Sequence, residues 1–220
     1  MQRWGQQDYV TMPWKNGGGT TTELAVFPPG ASLEHFVWRL SCAEVRVAGP
    51  FSAFPRIDRS LAVLSGAGLI LHADESQQSN SSTPLAQSVR LDQRSLPYRF
   101  MGELPIFAEL LEPDSPVIDL NLMTRREVCQ HYMQRLDAGI HFIDASDAQQ
   151  LLLYCAKGNA IVQGQENLQA GDLLMLDEEQ PATGIRVHID ADELAQLFCM
   201  RISFLNHELS QRNDPRGNSR

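Results

Sequence analysis

The sequence predicts an all-β protein made of two similar units in tandem, either two jelly-roll-like barrels or one internally duplicated sandwich. Three observations carry this. Short runs rich in β-branched and aromatic residues recur along almost the whole chain, separated by Gly, Pro and Asp stops. Leu152–Val162 aligns without gaps on Leu61–Leu71, each an apolar run, a small-residue turn and a second apolar run. Only Arg125–Leu136 has a mixed period that admits a helix as well as a strand.

In chain order, Met1–Val10 is polar, without the apolar stretch of a leader peptide. Thr20–Phe27 is β-branched and stops at Pro28-Pro29-Gly30. Thr20-x-x-Glu23 matches a capping box, but the Pro-Pro leaves no room for a helix. Phe36–Val47 alternates, with Phe36, Trp38, Leu40 and Cys42 on one face and Arg39 and Ser41 on the other, a half-buried strand with a polar side. A Pro-flanked aromatic corner follows, Gly49-Pro50-Phe51-Ser52-Ala53-Phe54-Pro55, closed by Asp58-Arg59. Leu61–Leu71 reads as a tight hairpin. Asp74–Leu85 is Ser/Gln/Asn-rich and reads as a loop, and its Asn80-Ser81-Ser82 acceptor carries no weight without an export signal. Strands resume at Ser88–Leu91, Tyr98–Met101, Phe107–Leu111 and Val117–Met123, the last with Asp119 and Asn121 on one face. Val128–Ile143 offers two more around Asp137-Ala138-Gly139. The second unit continues through Leu168–Leu176, Gly184–Ile189 and Ala195–Phe204, and residues 206–220 form a polar tail.

At 220 residues, 43% hydrophobic and 20% charged, the chain is ordinary for a globular protein able to bury a core. A net charge of −9 argues against nucleic acid or an anionic membrane as partner. The cysteines Cys42, Cys129, Cys155 and Cys199 are widely spaced in or beside apolar runs, which fits core residues in a reducing cytoplasm.

The stretch with least to offer a core is Trp14-Lys15-Asn16-Gly17-Gly18-Gly19-Thr20-Thr21-Thr22-Glu23. Three glycines bury no side chain and are costly to order, so they belong where backbone turns sharply or approaches a ligand. Lys15 is one of only two lysines, and the other, Lys157, falls in the turn of the second repeat. The alternative is a plain glycine turn with Lys15 solvated.

Together with Trp38-Arg39-x-Ser41, the corner Gly49-Pro50-Phe51-Ser52-x-Phe54-Pro55-x-x-Asp58-Arg59 and Asp119-Leu120-Asn121-x-Met123, this stretch resembles the HutD/Ves family. The likeness covers the first 125 or so residues, and Asn121-x-Met123-Thr124-Arg125-x-x-Val128-Cys129 is closest to the Ves branch. It implies a bicupin of two tandem RmlC-like jelly-roll barrels with little helix, here residues 1–124 and 125–205. It also implies a binder of a small carboxylate such as urocanate or formylglutamate, regulatory in histidine utilisation or stress response. One departure is Arg56, where the corner usually has Gly, since an arginine does not take a positive φ cheaply.

Metal-dependent cupin chemistry needs converging histidines, often His-x-His. His35, His72, His131, His141, His188 and His207 are scattered, with no two within four residues, so neither metal nor other cofactor is expected. A distributed pair such as His72 and His141 is the one arrangement spacing leaves open. An anion site is better supplied. Lys15, Arg39 and Arg59 bring charge, with Arg suited to bidentate carboxylate recognition. The glycine N–H groups offer a cradle, beginning at Gly17. Asn16, Ser41 and Asn121 add polar contacts, and Trp14 and Phe51 wall a planar ligand. Arg125, Ser52 and Phe54 read instead as structural. Glu23 completes the expected site in the first barrel. Paired with Lys15 it also supports an alternative, a cofactor-independent isomerase, lyase or hydrolase. A small anionic metabolite is the expected partner, with a homodimer compatible and nucleic acid and membrane not expected.

Overall fold

A computed structural model describes residues 1–73, 88–163, 166–177, 184–190 and 195–205. The loop read at Asp74–Leu85, the acceptor at Asn80, and the tail 206–220 with His207 lie outside the described residues. The described residues form nineteen strands and no α-helix, with one 3-10 turn at Gln6–Asp8. The strands are β1 (Gln2–Trp4), β2 (Val10–Pro13), β3 (Gly19–Phe27), β4 (Trp38–Val45), β5 (Gly49–Pro50), β6 (Ile57–Ser65) and β7 (Leu69–Ala73). They continue as β8 (Ser88–Leu91), β9 (Tyr98–Met101), β10 (Ile106–Leu110), β11 (Val117–Arg125), β12 (Cys129–Leu136) and β13 (Gly139–Ile143). The last six are β14 (Gln150–Lys157), β15 (Asn159–Val162), β16 (Glu166–Gln169), β17 (Leu173–Asp177), β18 (Ile185–Ile189) and β19 (Gln196–Phe204). The ambiguous stretch ending at Leu136 is therefore strand β12. Its alternate residues Cys129, His131 and Met133 are buried while Gln130 and Tyr132 are exposed, a period of two.

The chain divides into two compact units, each a cupin-like pair of sheets. One comprises Gln7–Ala25 and Arg39–Thr124, the other Met1–Gln6, Val26–Trp38 and Arg125–Arg220. One of the cuts between the units falls between Thr124 and Arg125. Met1–Gln6 and Val26–Trp38, however, group with the later residues, and β1 pairs with β17.

The first-barrel unit has a six-stranded sheet, β2-β3-β4-β11-β6-β9, and a four-stranded sheet, β5-β10-β7-β8. Its interior cluster takes Val45, Leu61, Val63 and Val117 from the former and Leu69, Leu71, Leu91, Ile106, Ala108 and Leu110 from the latter. Each such fully buried side chain contributes roughly 1.5–3 kcal/mol. The other unit pairs β1-β17-β14-β19-β12 with β13-β18-β15-β16. Its interior cluster is apolar throughout, from Leu136, Leu151 and Leu153 to Leu197 and Cys199.

Two sequence expectations change here. Leu61–Leu71 is not a hairpin, because β6 and β7 lie in different sheets, and so do β14 and β15. The small residues between them turn the chain from one sheet to the other. Gly68 makes that corner possible with φ 119°, where a Cβ would run into the carbonyl oxygen of Leu91. Lys157 sits beside the equivalent corner. The repeat also has a slip. Leu61 and Val63 face the first interior, whereas Leu151, Leu153 and Cys155 face the second, one residue out of phase with the gapless alignment. A bulge between Cys155 and Lys157 absorbs the difference, so that Ala160 and Val162 regain the facing of Leu69 and Leu71.

Candidate functional site

The six-stranded sheet turns its polar residues inward. On β6, Arg59 shares parity with Leu61 and Val63. On β11, Asp119 and Asn121 share it with Val117, and on β4, Arg39 and Ser41 share it with Val45. One stretch of the interior of this barrel is thus polar while the rest is packed aliphatic. Arg39 and Arg59 are each 5% exposed, Ser41 and Asp119 2% and Asn121 8%. A strand with a polar side ordinarily shows that side to water. Here the polar side of β4 is the inside of the barrel.

Arg39 is neutralised locally. Its Nε donates to Glu23 Oε2 at 2.7 Å, and its Nη1 donates to Ser41 Oγ at 3.3 Å. Glu23, which with Lys15 would make the alternative acid–base pair, is held by Arg39. Lys15 stands exposed on its turn.

Arg59 is held differently. Its guanidinium lies 5.1, 5.7 and 5.0 Å from the ring centroids of Phe51, Phe54 and Phe100. Its Nη1 donates at 3.4 Å to the carbonyl oxygen of Ser52, a long contact. Its Nε has no hydrogen-bond partner among the described residues, and neither has Asp119 Oδ1 or Asn121 Oδ1. Burial drags the Arg59 pKa down to about 10, with Asp119 opposing and the positive charge of Arg39 adding to the fall. Burial likewise pushes Asp119 up to about 7, against the pull of Arg59. Buried polar atoms without a protein partner are rare in folded proteins, and such an atom is met by a water, an ion or a ligand, or else stores strain.

Beside this cluster lies a groove of about 130 Å³ lined by Trp14, Asn16, Gly17, Gly18, Val45 and Phe51 among others. The glycine run forms one wall. Trp14 N–H bonds the Gly19 carbonyl at 2.9 Å, and Gly17 N–H returns to the Trp14 carbonyl at 3.0 Å, with Gly17 at φ 70°. Asn16 Oδ1 accepts from Gly18 N–H at 3.0 Å, so the Asn16 side chain braces the loop itself. A Cβ on Gly19 would collide with the carbonyl oxygen of Glu44 and press on the Trp14 ring, so the closeness of these backbones requires glycine. Trp14 Nε1 donates to Thr21 Oγ1 at 2.8 Å. Lys15 is not among the residues lining the groove. Phe51 belongs to both features, lining the groove and covering Arg59.

The structure thus gathers Glu23, Arg39, Ser41, Arg59 and Asn121 inside the barrel, and Trp14, Asn16, Gly17 and Phe51 at the groove. The sequence site did not include Asp119 or Phe100. Asp119 was signalled by its shared face with Asn121, whereas nothing local marks Phe100. Arg125 is structural, donating from Nε and Nη2 to the carbonyl oxygens of Phe36 and Glu34. Among the described residues no three His, Cys, Asp or Glu side chains gather into a metal-holding group. His72 pairs with Glu109 at 2.9 Å, and His141 Nε2 lies 2.8 Å from the Asp137 carbonyl oxygen, in separate units. Burial pushes the thiols of Cys155 and Cys199 up to about 11 and about 12, consistent with inert core residues. No described helix is long and apolar enough to cross a membrane.

Comparison with known proteins settles the lineage. The HutD family profile matches residues 6–197. The chain belongs to the HutD family. It is 32% identical over 190 residues to an uncharacterized 21.2 kDa protein of the hutC 3' region of Pseudomonas putida, covering 82% of this chain and 89% of that one. It is 34% identical over 117 residues to protein Ves of Citrobacter koseri, covering 53% and 54%. HutD of Pseudomonas fluorescens SBW25, solved in a formate condition, superposes with a TM-score of 0.76 at 29% identity, over 93% of this chain and 99% of that one. Oxalate decarboxylase of Bacillus subtilis superposes with a TM-score of 0.58 over 95% and 80%, at 11% identity, a likeness of cupin fold alone.

Proposed function

We propose that this HutD-family cupin binds a small carboxylate inside its first barrel, without a metal, as a regulatory sensor rather than a catalyst. The observation that carries this is a charge imbalance. Two guanidiniums are buried on one interior face, and only Arg39 has a carboxylate in contact. Arg59 keeps an open Nε–H, and Asp119, although nearby in charge, makes no hydrogen bond to it. A buried cation of that kind is stabilised by an anion, and the planar guanidinium suits a carboxylate. The aromatic rings around Arg59 fix its plane and keep water away, which strengthens the contact. The hutC 3' region in the name of the P. putida relative fits the histidine-utilisation setting that the resemblance implies, and makes the urocanate and formylglutamate of that resemblance the first ligands to test. The stress response implied by the resemblance to the Ves branch is the other setting, and protein Ves of Citrobacter koseri is among the relatives.

A thermal-shift series of small carboxylates on chelator-treated protein tests the reading, because a ligand of the folded state raises its melting temperature by mass action. Arg59→Leu, which replaces a buried charge by an apolar side chain, weakens binding by roughly 1.5–3 kcal/mol and leaves the fold intact. Equal shifts in Arg59→Leu and the parent would place the ligand elsewhere. A second reading, cofactor-independent acid–base catalysis, is supported by one group, Asp119, whose pKa of about 7 suits proton transfer. Ligand recovered unchanged after long incubation decides against it. Turnover lost in Asp119→Asn decides for it.

A further inference from the structure

The three unpartnered atoms inside the barrel are not all of one kind. Arg59 Nε is a donor, Asp119 Oδ1 is an acceptor once the carboxyl is ionised, and Asn121 presents its Oδ1. An amide can turn over and offer its other end, so above the Asp119 pKa of about 7 the acceptor whose chemistry is fixed is Asp119. A simple carboxylate meets the guanidinium and nothing else. Set beside Asp119 it leaves two oxygen acceptors facing each other, which costs rather than gains. A carboxylate that also carries an O–H or N–H group satisfies both ends at once. Resting on the carboxylate reading above, we infer that Asp119 is the specificity-determining residue of this site, and that it selects carboxylates bearing a hydrogen-bond donor over donor-free carboxylates of the same shape.

The geometry supports that division of labour. Asp119 on β11 lies between Arg39 on β4 and Arg59 on β6 in the order of the sheet, and all three face the interior. The Arg39 guanidinium already has Glu23 and Ser41, so it does not claim the open Asp119 oxygen. Sites built to hydrogen-bond a ligand group reject analogues lacking it far more strongly than apolar pockets reject a missing methyl, because the protein group is left buried and unmet.

The test compares ligands that differ only in the donor: glycolate against propionate, where O–H replaces methyl, and N-acetylglycine against levulinate, where N–H replaces methylene. Affinities are measured at pH 8, with Asp119 ionised, by calorimetry on the full chain. The expected result is that the donor-bearing member of at least one pair binds about ten-fold tighter. In Asp119→Leu that preference disappears while the donor-free member binds as well as before or better. The wild-type comparison stands whether or not the variant folds. Equal affinities within both pairs overturn the inference and leave the carboxylate reading standing. A preference that survives in Asp119→Leu overturns the assignment to Asp119. If no carboxylate of either pair binds, the reading of the site falls and this inference falls with it.

Discussion

Arg56 holds a left-handed backbone at φ 64°, where any Cβ costs roughly 1–2 kcal/mol. The corner takes the left-handed conformation that glycine favours, and the arginine bears the strain. Arg56→Gly removes the strain but gives the unfolded chain more freedom, so the net gain is about 0.5–1 kcal/mol by denaturant unfolding. A loss of stability would show that Arg56 contributes more through its own contacts than its backbone costs. Asp119 makes the second residue-level prediction. Its pKa is raised from 3.8 to about 7, so between those values the folded chain holds a proton that the unfolded chain has released. The contribution of Asp119 to stability is therefore full below 3.8, declines as pH rises toward about 7, and is level above that. Asp119→Asn flattens that limb and is more stable than the parent at pH 8. Melting temperatures of the two across pH 4–8 should converge on the acid side, and curves that stay parallel would refute the shift.

At the scale of the strand, the inward turn of β4, β6 and β11 is what sequence could only half disclose. Alternation separated Arg39 and Ser41 from Trp38 and Leu40, and paired Asp119 with Asn121. It carries no sign for which face is inside, and polar faces are ordinarily outside. Only the parity of Val45, Leu61 and Val117 on the same strands reverses that reading. The corners were misjudged for a related reason. A small-residue turn between apolar runs looks the same whether the second run pairs with the first or crosses to the facing sheet, since pairing depends on partners distant in sequence. The glycine run, in contrast, stands out locally, and the structure gives a reason for two of its members, Gly17 by its φ of 70° and Gly19 by close backbone approach. Gly19 at the head of β3 is the position most tightly fixed, against Glu44 and Trp14. Gly19→Ala is expected to destabilise the chain by roughly 1–3 kcal/mol. Gly49→Ala has open space where its Cβ would go and serves as the control, with a change within about 0.5 kcal/mol. Comparable losses in the two would mean that close backbone approach is not what Gly19 supplies.

For the molecule as a whole, duplication of the barrel did not duplicate the site. The two interiors are built on corresponding strands. Among the described residues, one holds Arg39, Arg59, Asp119 and Asn121 on its inner face, while the buried cluster in the other is Leu, Ile, Val, Ala and Cys. An aliphatic interior packed in this way offers a carboxylate neither charge nor hydrogen bond, and desolvating an anion there is prohibitive. Binding in solution should therefore saturate at one carboxylate per chain, and Arg59→Leu should weaken that single event rather than expose a second. Leu153→Ala, in the apolar interior, should cost about 2–5 kcal/mol of stability while leaving carboxylate affinity unchanged wherever the chain remains folded. Calorimetric stoichiometry decides between the alternatives. A value of two in the parent, or of one with unaltered affinity in Arg59→Leu, would mean that a carboxylate is held by groups outside the polar stretch of the first barrel.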